Sequence, residues 1–190
     1  TPCLNGLRAC EGIWIEDLQG RRYMDFHGNN VHQVGFGNPE VIAAIKEQLD
    51  ELSFCPRRYT NWRAVELAKK LAELAPGKLN KVLFAPGGTS AIGMALKLAR
   101  IATGRHKTIS MWDSFHGASL DAISIGGEAV FRQNIGPLLP GTEHVPPPDE
   151  YHCIFGCFER GGCDMTCARY VDYIMEKEGD ITAVVAEPMR

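Results

Sequence analysis

A short apolar run, Lys81-Val82-Leu83-Phe84-Ala85, closes on Pro86 and gives way at once to Gly87-Gly88-Thr89-Ser90. An amphipathic stripe follows, with Ile92, Ala95, Leu98 and Ala99 at helical spacing as far as about Thr103, and Gly104 as a C-terminal cap. Strand, glycine turn and helix in immediate succession leave few folds open. The first turn of such a helix carries unpaired N–H groups at the positive end of the macrodipole, and glycines let the backbone approach a bound anion. A loop of this kind holds a phosphate.

Spacing narrows the phosphate. A P-loop requires Lys and Ser/Thr after its last glycine, whereas Met94 and Ala95 follow Gly93. No Gly-x-Gly-x-x-Gly lies between the strand and the helix, so the dinucleotide fingerprint is absent. A cradle of four short residues fits a single phosphomonoester. Lys107-Thr108-Ile109-Ser110-Met111-Trp112 reads as the next strand, so residues 81–112 are expected to form a βαβ unit with a parallel pair. Asp113-Ser114-Phe115-His116-Gly117 falls past the carboxyl end of that second strand, where α/β sheets bind ligands, and should face the same crevice as the glycine loop.

The flanking chain supports an α/β domain. Gly12 to Phe26 alternates around a turn at Leu18-Gln19-Gly20-Arg21, the pattern of a hairpin, and His27 to Asn38 is an irregular loop. Pro39 opens a helix whose buried face is expected to be Val41, Ile42, Ile45, Leu49 and Leu52. A break at Ser53 to Asn61 contains Arg57 and Arg58, and a second helix runs from Trp62 to Ala75 before Pro76-Gly77. Gly126 to Cys167 is rich in glycine and proline. A helix then spans Thr166 to Lys177, and Thr182 to Glu187 is a further core strand.

With a net charge of −3 over 190 residues, the chain advertises no nucleic-acid surface, and its apolar runs are too short to span a membrane. A cytoplasmic protein is expected. Of seven cysteines, Cys3, Cys10 and Cys55 are scattered, while Cys153, Cys157, Cys163 and Cys167 cluster as Cys-x3-Cys-x5-Cys-x3-Cys. That spacing is looser than the close pairs of structural zinc sites, so reduced thiols and no metal are expected.

Taken together, the blocks resemble the amino-terminal half of a class-III aminotransferase, a fold-type-I enzyme dependent on pyridoxal 5'-phosphate (PLP). Gly12-Ile13-Trp14-Ile15-Glu16-Asp17 through Asp25 resembles the family's opening hairpin. Gly35-Phe36-Gly37-Asn38-Pro39 resembles its glycine-histidine-x-x-proline loop, and Gly87-Gly88-Thr89-Ser90-Ala91 its Ser-Gly-Thr-Glu-Ala phosphate loop. Ser114-Phe115-His116-Gly117 and Glu187-Pro188 resemble its Tyr-His-Gly and Glu-Pro motifs.

The resemblance implies a mixed, mostly parallel sheet flanked by helices. Residues 1–38 would be a hairpin segment on the small-domain side, and residues 39–190 the first part of the PLP-binding domain. It also implies that Gly88 and Thr89 hold the PLP phosphate, Phe115 stacks on the pyridine ring, His116 and Gly117 shape the ring pocket, and Glu187 stands beside the cofactor. Arg57 and Arg58 fall in the family's entrance segment as candidates for an anionic substrate. The Schiff-base lysine and the aspartate on the pyridine nitrogen both follow the Glu-Pro motif in the family. This segment alone is therefore expected to be inactive, and Lys97 and Lys107 read as ordinary solvated lysines. A homodimer acting on a small amine or amino acid is expected.

Departures at Phe36, Gly87, Ser90 and Phe115, where the family usually carries histidine, serine, glutamate and tyrosine, bear on the reaction. Transamination is the leading expectation. The alternative is a lyase of the same family eliminating ammonia or phosphate from an aminoalkyl phosphonate or phosphate, and a second alternative is a non-catalytic α/β module.

Overall fold

The computed structural model describes residues 4–188, so Cys3 and the last two residues lie outside the described part. The chain divides into two compact units, the first ending at Val82 and the second beginning at Leu83.

In the first unit, β1 (Leu7–Glu11), β2 (Trp14–Asp17) and β3 (Arg22–Met24) form an antiparallel sheet in the order β1-β2-β3. The expected hairpin is β2-β3, and β1 extends it on the other edge. Its turn is organised by the buried Asp17 carboxylate, which accepts the Gln19 and Arg21 N–H groups at 2.9 Å each. The same carboxylate accepts Arg21 Nε at 2.7 Å and the Tyr23 hydroxyl at 3.0 Å. Gly20, at φ +81°, supplies the left-handed residue that closes the turn.

Helices α1 (Pro39–Leu52) and α2 (Trp62–Leu74) follow. Each starts on an asparagine whose side chain accepts two first-turn N–H groups, Asn38 from Glu40 and Val41, Asn61 from Arg63 and Ala64. The stripe Val41, Ile42, Ile45, Leu49 and Leu52, expected as the buried face of α1, is exposed, and no described residue of α1 is buried. An apolar stripe is driven inward only where another surface covers it.

In the second unit, α3 (Gly88–Thr103) leads through Gly104, left-handed at φ +67°, to β4 (Lys107–Met111). Helices α4 (Leu120–Ile125) and α5 (Ala129–Arg132) connect β4 to β5 (Thr142–Val145), and α6 (Thr166–Glu178) connects β5 to β6 (Ile181–Val185). The sheet order is β5-β4-β6 with both ladders parallel, each crossover carrying helix. As the central strand, β4 buries Thr108, Ile109 and Ser110 in succession, because both faces of a parallel strand are covered. Ile109, Val145 and Ile181 form the core, with Met111, Val171 and Ile174 packed on it.

One expectation is corrected. Residues 81–85 do not form a strand, and the parallel partners of β4 are β5 and β6. The run has strand composition, but a strand needs a ladder partner, and Leu83 and Phe84 stand exposed. Strand β5, Thr-Glu-His-Val, lies within the glycine- and proline-rich stretch from Gly126 to Cys167.

Ile109 tests the importance of this core. Ile109→Ala should lower the unfolding free energy by roughly 2–5 kcal/mol. Val184→Ala, at a side chain on β6 that is 46% exposed, should cost about 1 kcal/mol or less. Denaturant titration of both variants checks the contrast.

Candidate functional site

The site gathers at the carboxyl edge of the parallel sheet. Helix α3 begins on Gly87 in an extended conformation, without a side-chain cap, and its first intrahelical bond runs from the Ala91 N–H to the Gly87 carbonyl at 3.0 Å. This start differs from those of α1 and α2, where asparagine side chains take the first-turn donors. Nothing lies within 4 Å of the point where a Cβ would stand on Gly87 or Gly88, so the approach to these amides is open. The chemistry is that of an anion cradle.

Two locks hold the loop after β4 against this cradle. The Ala118 N–H donates to Thr89 Oγ1 at 3.1 Å. That bond uses the hydroxyl as an acceptor and leaves its proton available to donate to an anion. Gly117, left-handed at φ +135°, lies so close that a Cβ there would fall 2.0 Å from Thr89 Oγ1 and 2.9 Å from Thr89 Cα. Only glycine fits this approach.

A third tie comes from β6. Glu187 Oε1 accepts the Phe115 N–H at 2.7 Å, joining the ends of the β4 and β6 segments across 72 residues of sequence. The Phe115 ring stays half exposed and leans on Phe131 of α5, with centroids 4.4 Å apart. Half-buried His116 places Nε2 3.2 Å from Ser110 Oγ on β4. Burial pulls its pKa below the ordinary histidine value, against an opposing pull from the Glu187 carboxylate.

Gly88, Thr89, Phe115, His116, Gly117 and Glu187 are thus brought to one locality. Arg57 and Arg58 lie exposed in the first unit, on a turn closed by the Tyr59 N–H on the Pro56 carbonyl at 2.8 Å. Lys107 is ion-paired with Glu178, and that pairing raises its pKa, so it is held as a cation; Lys97 is exposed on α3. Among the described residues, no group of three or more His, Cys, Asp or Glu side chains could hold a metal ion.

Sequence inspection missed the frame behind the site. The Ser114 carbonyl accepts the N–H groups of Gly127 at 2.9 Å and Glu128 at 3.1 Å, while its hydroxyl donates to the Met111 carbonyl at 2.7 Å. A Cβ on Gly127 would meet that same Met111 oxygen at 2.2 Å. The pair Gly126-Gly127 was the available signal. His144 of β5 completes the frame, stacked on Trp112 at 4.5 Å with Nε2 3.0 Å from the Gly126 carbonyl, and burial lowers its pKa as well.

Comparison with known proteins gives this geometry its class. The chain belongs to the class-III aminotransferase family, whose model matches residues 4–190. It is 53% identical to an (R)-1-hydroxy-2-aminoethylphosphonate ammonia-lyase of Vibrio splendidus (strain 12B01), over all of this chain and 42% of that protein. It is 37% identical to an adenosylmethionine-8-amino-7-oxononanoate aminotransferase of Geobacter sulfurreducens, over 94% of this chain and 42% of that protein. The fold matches a PLP-bound amine transaminase from an uncultivated Pseudomonas species with a TM-score of 0.86 at 29% identity, covering 99% of this chain and 45% of that one. The chain therefore spans less than half the length of these relatives, and its α/β architecture is that of fold-type-I transaminases. No helix among the described residues is long and apolar enough to cross a membrane.

Gly117→Ala should push Thr89 and the first turn of α3 out of place. A loss of roughly 1–3 kcal/mol in unfolding free energy is expected, checked by denaturant titration. His116 and His144 predict a pH dependence. Their folded pKa values lie below the unfolded value, so their contribution to stability is complete above about pH 6.5 and lost as pH falls through the folded values. The unfolding midpoint should drop on acidification from about pH 7 to 5, and less so in His116→Gln.

Proposed function

We propose that the protein binds pyridoxal 5'-phosphate at the α3 cradle and uses it to eliminate ammonia from a small aminoalkyl phosphonate or a closely related anionic amine. The observation that carries this reading is the 53% identity, over the whole of this chain, to an ammonia-lyase of that substrate class. Transamination is the second reading, supported by the family itself and by the aminotransferase relative at 37% identity.

The residues present fit the cofactor. The N–H groups of Gly88 and Thr89 and the Thr89 hydroxyl would hold the phosphate, since the hydroxyl proton is free while its oxygen accepts Ala118. The half-exposed Phe115 ring would take one face of the pyridine, braced from behind by Phe131. When bound, PLP supplies the electron sink that draws an electron pair from the substrate carbon bearing nitrogen. Gly117 keeps the loop low enough for the phosphate and ring ends of the pocket to be shaped together.

His116 stays neutral near pH 7 because burial disfavours the imidazolium, so it shapes the pocket without adding a positive charge. The Glu187 carboxylate, tied to the Phe115 amide, positions the stacking ring and stands on the cofactor side of β6. Arg57 and Arg58, exposed on the turn between α1 and α2, stay the candidates for an anionic group, for which a guanidinium is the suited partner. We further propose a homodimer in a cytoplasmic setting, as the resemblance to the class-III aminotransferase family implies.

Two measurements on the full-length protein test this. Added PLP should give the visible absorption of a protein-bound cofactor, and Thr89→Val should weaken its binding about tenfold, the scale of one charge-assisted hydrogen bond. Unchanged binding in that variant would remove Thr89 from the cradle. Ammonia released from 1-hydroxy-2-aminoethylphosphonate without a keto acid supports elimination, whereas turnover only with a keto acid acceptor establishes transamination instead.

A further inference from the structure

A separate cluster in the second unit has no part in the cradle. Cys153, Cys157, Cys163 and Cys167 line one cleft together with Pro146, Pro147 and Pro148, with a volume of about 240 Å³. That is room for a small molecule and not only a single water. Within it, a turn closed by the Gly156 N–H on the Cys153 carbonyl at 2.9 Å folds Cys157 back over Cys153. Cys153 and Cys157 lie four residues apart across this turn, and the Cys157 and Phe155 amides hold the Cys153 thiol below its ordinary pKa. Cys157 is buried, with Sγ 3.2 Å from Asp164 Oδ1 and 3.6 Å from Arg160 Nη2.

We propose that Cys153 and Cys157 form a dithiol site that reacts with small organic disulfides in the proline-walled cleft and closes reversibly into an intramolecular disulfide. Cys153 is the attacking sulfur. It is half-buried, lines the cleft, and has its pKa lowered by the neighbouring Cys157 and Phe155 amides. Cys157 is the resolving thiol. The Asp164 amide favours its thiolate, but the Cys153 sulfur, burial and the Asp164 carboxylate outweigh that and push its pKa up to about 11.

In the first step the Cys153 thiolate attacks one sulfur of the small disulfide. A Cys153–S bond forms, the reagent's S–S bond breaks, and one thiolate leaves and takes a proton. In the second, Cys157 loses its proton to water and attacks the Cys153 sulfur, expelling the second thiolate. Two thiol hydrogens are lost from the protein, one disulfide forms, and the reagent is reduced to two thiols.

Closure has a local consequence. Asp164 Oδ1 receives the Cys157 thiol and also the Thr166 N–H at 3.0 Å and the Thr166 hydroxyl at 2.6 Å, at the start of α6. Removing the thiol hydrogen takes away one of these three donors and should loosen the first turn of α6.

The experiment uses the full-length protein and 2-hydroxyethyl disulfide, followed by alkylation and peptide mass mapping. The expected result is loss of two hydrogens across the Cys153–Cys157 peptide, formed faster than the exposed Cys10 is modified. Hydrogen exchange at Thr166 to Arg169 should rise and revert with dithiothreitol. Cys163→Ser should leave the product unchanged, and Cys153→Ser should abolish it. Pairing of Cys163 with Cys167, or reaction at Cys153 no faster than at Cys10, overturns the proposal. The wild-type time course decides this even if a variant fails to fold.

Discussion

The pair of parallel ladders that β4 makes, to β5 on one side and β6 on the other, is the constraint on which the rest of the second unit depends. Parallel pairing sends every strand in the same direction, so the segments leaving β4 and β6 emerge on one edge. Glu187 can therefore reach the Phe115 amide at 2.7 Å, although 72 residues separate them along the chain. The apolar trio Ile109, Val145 and Ile181 fixes the ladders, and the ladders fix the edge. The polar ties at that edge then need only short reach. This is why the candidate site consists largely of backbone amides and small residues.

Elements with a local cause were legible in the sequence. The helix starts at Pro39 and Trp62 have such a cause, for at each an asparagine oxygen, of Asn38 and of Asn61, satisfies first-turn donors. Gly104 ends α3 for an equally local reason, its left-handed φ of +67°. Features whose cause lies elsewhere in the chain were not legible. Residues 81–85 have the composition of a strand without the partner that would make them one, and the α1 stripe is patterned for burial yet exposed. Strand β5 is the reverse case. Thr142-Glu143-His144-Val145 lacks apolar alternation, and it is a strand because β4 offers it a ladder.

The same division runs through the site. Gly88, Thr89, Phe115, His116, Gly117 and Glu187 could be nominated from motifs, because a phosphate cradle and a loop past a strand end leave signatures in sequence. Their supports could not. Ser114, Gly127 and Phe131 act through contacts across the connection between β4 and β5: a carbonyl taking two amides, a glycine that clears the Met111 oxygen, and a ring 4.4 Å from Phe115. No spacing rule announces such contacts. The α3 cradle is accordingly better defined by sequence than the aromatic side of the candidate site.

The cradle and the cysteine turn use one device at opposite charge states. At α3, no side chain caps the first-turn N–H groups, so an anion held there would have to come from outside. At Cys153, two neighbouring amides lower the pKa of a sulfur that can itself become the anion by losing a proton. Both places rest chiefly on backbone donors, so substitution of side chains other than Thr89 around the cradle alters access more than intrinsic anion affinity. Gly87 and Ser90, where the family usually carries serine and glutamate, leave these backbone donors in place.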